Sequence, residues 1–508
     1  MSSSSSSSSE DEDEILIEKN LESPVKPKSE KCMEDLLELR WYCLRVLWMA
    51  EVAAFTALAS VTFMVFAGAN PSIVGCDNYK VNNCLDLKSL QNRTGCVPKI
   101  NYQFKSTQVE FNYLCEEAKK VKNTITVQTF GVLIGAAVFG QISDNIGRRK
   151  ALLISTFGNA VFNVIAGFSP DLLIFMILRT VCGIFAGGMT VVQIVFMVEN
   201  IPRKHRMWIQ NSITWSPNLI IYPFVAYLAQ DWRNLSIIVG FTSFVTFLAV
   251  LILHESPRWL VQKGKIEEAR RVLNWKMKKW PRQQKRSKKY TFIHLFCTWK
   301  MLAQTLTFVT GIVCTTTIVY ALMYNMEKLS GSLFWNSAWI GASRWVVNIV
   351  VSILDYKFTW FGRKIVNQLS MFFTILALGV MTSYSYYGEK GTILTVGTFI
   401  AASMCSQLFI VKYLMVNELY PTAVRNLAVS AVSTMSRIGS MFSPQLFYLA
   451  DYADWIPYAV LFGLQIYDLV VFSIFIPETK GVHLENHLPP KNQRIFRGKS
   501  RQQSSSHQ

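Results

Sequence analysis

Charge is what this chain has least of. Asp, Glu, Lys and Arg make up 17% of its 508 residues, against about 25% in soluble domains, which excludes a soluble enzyme. Histidine is scarce too, six residues scattered mostly through loops and tails. No phosphate-cradling glycine loop ending in Lys-Ser/Thr occurs, no His-Glu-x-x-His pair and no Gly-x-Ser-x-Gly elbow. Bond-breaking chemistry is therefore not expected, nor a metal or a cofactor. A cleavable leader is also missing: eight serines and an acidic run stand where a basic segment and an apolar stretch would. The first apolar span then serves as its own insertion signal, with the N-terminus left in the cytosol.

What is abundant is apolar. Hydrophobic residues make up 51% and aromatic residues 13%, which also excludes a disordered scaffold. They come in runs such as 154–178, 236–253 and 392–411, long enough to cross a bilayer. Runs of this length without period-2 alternation read as helices, and in lipid only helices or closed barrels satisfy their backbone groups. The pattern predicts twelve spans: 43–68, 124–143, 150–168, 171–196, 207–229, 234–253, 301–325, 333–354, 364–386, 392–413, 424–448 and 455–477. The expected organisation is a disordered acidic cytosolic tail (1–42), a six-helix half (43–253) and a cytosolic loop (254–300). A second six-helix half (301–477) and a basic cytosolic tail (478–508) follow.

The formal net charge of +18 does not point to nucleic acid, because of where it sits. Residues 1–40 hold 5 Lys/Arg against 11 Asp/Glu, whereas residues 255–300 hold 14 against 3. Basic charge gathered between apolar runs is the positive-inside bias. It places both termini in the cytosol and makes the lipid bilayer the partner. A monomer or weak oligomer in the plasma membrane is expected. Within the basic loop, Ile266, Ala269, Leu273, Met277 and Trp280 form one apolar helical stripe, packed beneath the bundle, laid on the inner leaflet or bound by calmodulin.

The one long exterior segment, 69–123, holds Cys76, Cys84, Cys96 and Cys115 and the sequon Asn92-Arg93-Thr94. Four exterior cysteines suggest two disulfides with three possible pairings, and the sequon makes Asn92 a glycosylation candidate.

Three stretches are more specific than hydropathy. Gly140-Gln-Ile-Ser-Asp144-Asn-Ile-Gly147-Arg148-Arg149 joins the second and third spans. It sets an acid beside two arginines with a glycine for a tight reversal, a charge latch able to hold two half-bundles together on the cytosolic face. Gly362-Arg363-Lys364 repeats its end between the eighth and ninth spans, without the acid, so the second latch is expected to be weaker. Glu199-Asn-Ile-Pro202-Arg203, Glu255-Ser-Pro-Arg258, Glu418-Leu-Tyr420-Pro421-Thr-Ala-Val-Arg425 and Pro477-Glu478-Thr479-Lys480-Gly481 close other spans, and Glu199, Arg203, Glu255, Arg258, Glu418 and Arg425 are candidate latch residues as well. From about residue 40 to 485 the chain resembles the major facilitator superfamily, and within it the organic ion transporters, solute carrier family 22. The resemblance implies an all-α membrane protein of twelve transmembrane helices in two six-helix halves, rocking about a midplane site to carry a small organic ion.

Intramembrane charges are costly and mark function. Arg437 lies in the eleventh span among Ser436, Gly439 and Ser440. The resemblance implies that an arginine here goes with anion and carnitine carriers, whose carboxylate its planar fork suits. Arg344 is a second candidate anion contact, while Arg179 reads as an internal tether. Tyr320 matches a cavity-lining tyrosine of the family; Tyr324, Trp215, Tyr222, Phe224 and Trp345 are further aromatic candidates. Glu51 is a candidate coupling carboxylate, and Asp468 is expected to pair with a neighbour. Organic anions or zwitterions such as carnitine are the expected substrates, with organic cations, or a transporter-like receptor that no longer transports, as alternatives. In the tail, Ser2–Ser9 and the acids before Leu16-Ile17 suggest phosphorylation and a sorting signal, or simply solvated chain.

Overall fold

Lipid offers the backbone no hydrogen-bond partner, so each apolar run closes its bonds within a helix. The computed structural model describes residues 41–77, 79–80, 84–201, 215–273, 292–358, 362–388, 391–421 and 424–480. Through these run twelve long helices. The first six are α1 (Trp41–Thr62, carried on as Met64–Ala67), α2 (Ala118–Ile146), α3 (Arg148–Ala166), α4 (Leu172–Asn200), α5 (Trp215–Ala229) and α6 (Trp232–Leu251). The others are α7 (Trp299–Tyr324), α8 (Leu333–Lys357), α9 (Arg363–Tyr386), α10 (Thr392–Leu419), α11 (Arg425–Leu446) and α12 (Ile456–Phe475). Nine of them are apolar and long enough to span by themselves among the described residues. The other three have local reasons: α3 opens on Arg148-Arg149-Lys150, α5 is described for 15 residues, and α11 is rich in serine and carries Arg437. Side-chain caps fix several starts, with Asp171 accepting from Ile174 N at 2.7 Å and Asp231 from Arg233 N at 2.9 Å.

Helices α1, α3 and α6 pack with α2 and α4 into one half, and α7–α12 make the other. The halves meet along two long seams, α2 on α11 and α5 on α8. Within the first half α2 and α4 approach at backbone distance. Gly131 and Gly135 face the Thr180 and Ile184 carbonyls, and Gly183 and Gly187 face those of Gln128 and Val132. A Cβ at any of the four would collide with the other helix, the small-residue packing that lipid favours.

The exterior segment is not helical throughout. Strands β1 (Ser72–Cys76), β2 (Tyr79–Lys80) and β3 (Pro98–Asn101) form an antiparallel sheet in the order β2-β1-β3, beside a helix at Cys84–Thr94. A disulfide joins Cys76 to Cys96, and Cys115 is disulfide-bonded as well; the Cys84 side chain lies outside the described residues. Asn92 is exposed on that helix. The module is clamped to the bundle by Glu110, which accepts from Arg233 Nε at 2.7 Å and Trp232 Nε1 at 2.9 Å, and by Lys105, 3.2 Å from both Glu110 and Asp231. On the cytosolic side short helices at Pro257–Gln262 and Ile266–Leu273 pack together, Ala269 buried against Trp259 and Leu260. The rest of the expected stripe, Met277 and Trp280, lies outside the described residues, as do both tails with the serine run and Leu16-Ile17.

Candidate functional site

The first cytosolic latch forms, but it binds one half to itself. Arg148 pairs with Asp144 and with Glu199 (3.3 Å), and Ser256 Oγ donates to Glu199 at 2.5 Å. Glu255 Oε1 accepts the Arg149 backbone N–H at 2.9 Å, while the Arg149 side chain turns to the Val250 and Leu251 carbonyls. Among the described residues these partners all belong to the first half or to the chain directly after its last helix, in place of the expected bridge between half-bundles. Arg258 lies in the adjoining short helix, and Arg203 is outside the described residues.

The second latch corrects the expectation of a missing acid. Arg363 Nη1 meets Asp355 Oδ2 at 2.5 Å and its Nε lies 3.5 Å from Glu418. Asp355 sits in the last turn of α8 and Arg363 opens α9, so the chain reversal brings them together although eight positions separate them. Glu478 accepts the backbone N–H groups of Arg363 (2.8 Å) and Lys364 (3.0 Å), capping α9 as Glu255 caps α3. Burial pushes the Glu478 carboxyl up, but backbone N–H groups of Lys480, Lys364, Arg363 and Thr479 outweigh it and hold the carboxyl below its ordinary value. Arg425 donates to the Tyr420 carbonyl at 3.3 Å, and Glu418 accepts from Thr479 Oγ1 at 2.7 Å. Glu478 and Asp355 were not singled out as latch residues by the sequence.

Hydrogen bonds and ion pairs that join two described residues across the halves all lie toward the exterior end. Lys122 Nζ reaches Glu327 and Asn325, both at 3.1 Å, and Asn70 Nδ2 donates to the same Glu327 oxygen at 3.2 Å. Lys119 pairs with Asp451, and Tyr448 and Gln445 bond Asn123 at 2.9 and 3.1 Å. Below them Phe334 stacks on Phe66 and meets Phe104 and Tyr227 edge-on. Among the described residues the halves are thus joined at the exterior end and by no such bond at the cytosolic end, as in an inward-facing arrangement.

The interior sorts the remaining candidates. Arg179 is a tether: it is fully buried and donates to Gln128 (3.2 Å), Asn163 (2.7 Å) and the Ser60 carbonyl (2.7 Å), with Phe63 stacked 4.1 Å away. Asp468 has its neighbour, Lys412, at 2.5 Å; the ammonium also bonds Gly311 O and Thr315 Oγ1. Lys412, the one cation inside the tenth apolar run, escaped the sequence reading. Tyr324 is sealed, its hydroxyl donating to the Val61 carbonyl at 3.3 Å, so it belongs to the exterior closure. Phe224 and Trp345 share exposed apolar stripes with Ile221 and Leu228 and with Ile349 and Ile353, which turns them to lipid.

Arg344 and Arg437 are different. Among the described residues no hydrogen bond or ion pair reaches either side chain, and Arg344 Nε is buried without an acceptor. Arg344 lies within electrostatic reach of Tyr320, and Arg437 within reach of Tyr324 and Tyr413. Tyr320 stacks on Tyr324 at 5.8 Å, and with Trp215 it packs against Val61, Val132 and Ala186. Glu51 accepts from Asn218 Nδ2 at 3.0 Å.

Comparison with known proteins agrees with this architecture. Residues 94–487 match the family model described as sugar (and other) transporter. The chain is similar to solute carrier family 22 member 16 of Xenopus laevis, 27% identical over 75% of this chain and 69% of that one. It is also similar to the human organic cation/carnitine transporter 2, 25% identical over 74% and 70%. Among solved structures it resembles the xylose transporter XylE from E. coli in a partially occluded inward-open conformation, with a TM-score of 0.61, 16% identity and coverage of 87% of this chain and 100% of that one.

Proposed function

The chain belongs to the sugar (and other) transporter family, a multi-pass membrane transporter of organic solutes, and from that premise we propose that its substrates carry a carboxylate or another small anionic group. The observation that carries the reading is the pair Arg344 and Arg437, two guanidinium groups in the membrane interior with no acceptor of their own among the described residues. A charge placed there without a partner is expensive, and an arginine fork recovers that cost by meeting a carboxylate with two parallel bonds. Tyr320 and Trp215 supply the apolar walls. The latches keep each half rigid while the halves rock, and the exterior contacts of Lys122 and Lys119 are what must part for uptake. The same reading sets the protein in the plasma membrane as a monomer or weak oligomer, both termini cytosolic, with Asn92 glycosylated outside.

Uptake of labelled carnitine, succinate and tetraethylammonium by cells expressing the wild type and Arg437→Ala tests it. Carnitine or succinate is expected to enter, with uptake falling about tenfold or more in the variant, as the loss of one buried charged contact implies. Tetraethylammonium uptake untouched by the substitution, with no anion flux, overturns it. No flux of any probe at normal surface expression points to a receptor instead.

A further inference from the structure

We infer that Glu51 is a specificity residue, holding a cationic end of the substrate opposite the arginines and turning dianions away. The inference rests on the anionic pole proposed above and adds the other pole. On α1, Leu44, Trp48, Glu51 and Phe55 follow one another at three- and four-residue spacing, and none is buried, whereas Cys43, Val46, Met49, Ala50, Ala53 and Ala54 are. Glu51 thus stands on the face that the neighbouring helices leave uncovered. At 1.5 Å per residue it is about 15 Å from the cytosolic start of α1, and Arg437 is about 18 Å from the start of α11. Both lie near mid-depth.

The surroundings of Glu51 suit a cation. Its only partner among the described residues is the neutral amide of Asn218 on α5, so the carboxylate charge meets no cation there. Trp215 lies one turn before Asn218 and Tyr222 one turn after. Phe55 meets Tyr222 edge-on at 6.4 Å, and the Tyr222 hydroxyl is buried without a hydrogen-bond partner. Phe55, one turn after Glu51, and Trp215, one turn before its partner Asn218, are only partly buried, so a cation drawn to the carboxylate finds aromatic surface on the adjoining turns of both helices. Trp215 from this cluster and Tyr320 from the arginine side pack on the same three residues, Val61, Val132 and Ala186. That shared cluster links the helix partnering the acid of the first half to the tyrosine beside the arginines of the second. A zwitterion aligned along it gains at both ends, whereas a dianion sets its second charge against Glu51 and a simple cation meets the arginines.

The test compares carnitine with its carbon isostere, in which a tert-butyl group replaces the trimethylammonium, and with succinate. The full-length chain is used in proteoliposomes as wild type, Glu51→Gln, Glu51→Asp and Arg437→Gln. Wild type is expected to take up carnitine about tenfold better than the isostere, the equivalent of roughly 1.4 kcal/mol. Glu51→Gln removes that preference by lowering carnitine uptake far more than isostere uptake, and Glu51→Asp retains it. Equal loss of both probes in Glu51→Gln marks a merely structural role and overturns the inference, as does wild type that ignores the difference or prefers succinate. If Arg437→Gln leaves carnitine and isostere uptake untouched, the anionic pole itself falls, and the bipolar cavity with it.

Discussion

Glu478 lies so close to Gly362 that a Cβ on the glycine would collide with its carboxylate. The same holds for Glu255 and Gly147 in the other half. In each half a glutamate that follows the last helix reaches back to cap the third, α3 or α9, and the latch glycine is the gap through which it enters. Gly362 has φ −78°, open to any residue, so a Cβ there meets only the Glu478 carboxylate, which must leave its place at the α9 cap to make room. Gly147 has φ +117°, so backbone conformation demands it too.

That difference predicts an order of damage. Gly362→Ala should lower thermal stability in detergent by about 1 kcal/mol, the worth of a displaced helix cap. Gly147→Ala should cost roughly 1–2 kcal/mol more, because backbone strain adds to the collision. Equal melting shifts for the two would show that the left-handed backbone at 147 is not required.

Lys122 and Glu327, about one-tenth exposed on either side, bolt the exterior end. Removing one partner of a nearly buried pair costs about 3–5 kcal/mol, so Glu327→Lys should favour the outward-open arrangement. A cysteine placed at Val61, sealed at 5% exposure, should then react with an impermeant maleimide from outside. The exchange Lys122→Glu with Glu327→Lys should restore protection. Persistent labelling in the double variant would mean that the pair does not set the gate.

Lys412 and Asp468 tie α7, α10 and α12 together from a site 1% and 2% exposed. Asp468→Asn leaves the ammonium without its counter-charge, and folded yield should fall as expected for about 3–5 kcal/mol. Asp468→Asn with Lys412→Met removes both charges and should recover most of that yield. Equal loss in single and double variants would contradict the pairing.

The contrast between these features shows what sequence order reveals. The twelve spans, the exterior cysteine loop and the tether role of Arg179 follow from runs and local patterns. The acid for Arg363 stays hidden because Asp355 is eight positions away and a loop closes the distance. Lys412 hides for another reason: one cation in a long apolar run barely changes its hydropathy, and its partner is 56 positions further on. The exterior sheet is missed because strands of two to five residues leave no periodicity to read. Arg344 and Arg437 are visible as charges, but that no described residue offers either side chain an acceptor is a property of packing alone.

The clamp at Glu110 adds a pH dependence whose sign can be worked out. Burial pushes the Glu110 carboxyl up, yet hydrogen bonds from Arg233, Lys105 and Trp232 outweigh it and leave the pKa below the ordinary 4.5. A depressed carboxyl stabilises above its unfolded pKa, and that contribution is lost as pH falls through the folded value. Lys105 opposes burial with bonds to Asp231 and Glu110 that raise its pKa above 10.5, so its share is lost only as pH rises through that higher value. Neutral pH lies inside both windows. Hydrogen exchange over 105–111 should therefore be slow and nearly constant from pH 6 to 8 after correction for intrinsic rates, and should quicken in Glu110→Gln. Unchanged protection in that variant would show that the clamp does not hold the exterior module on the bundle.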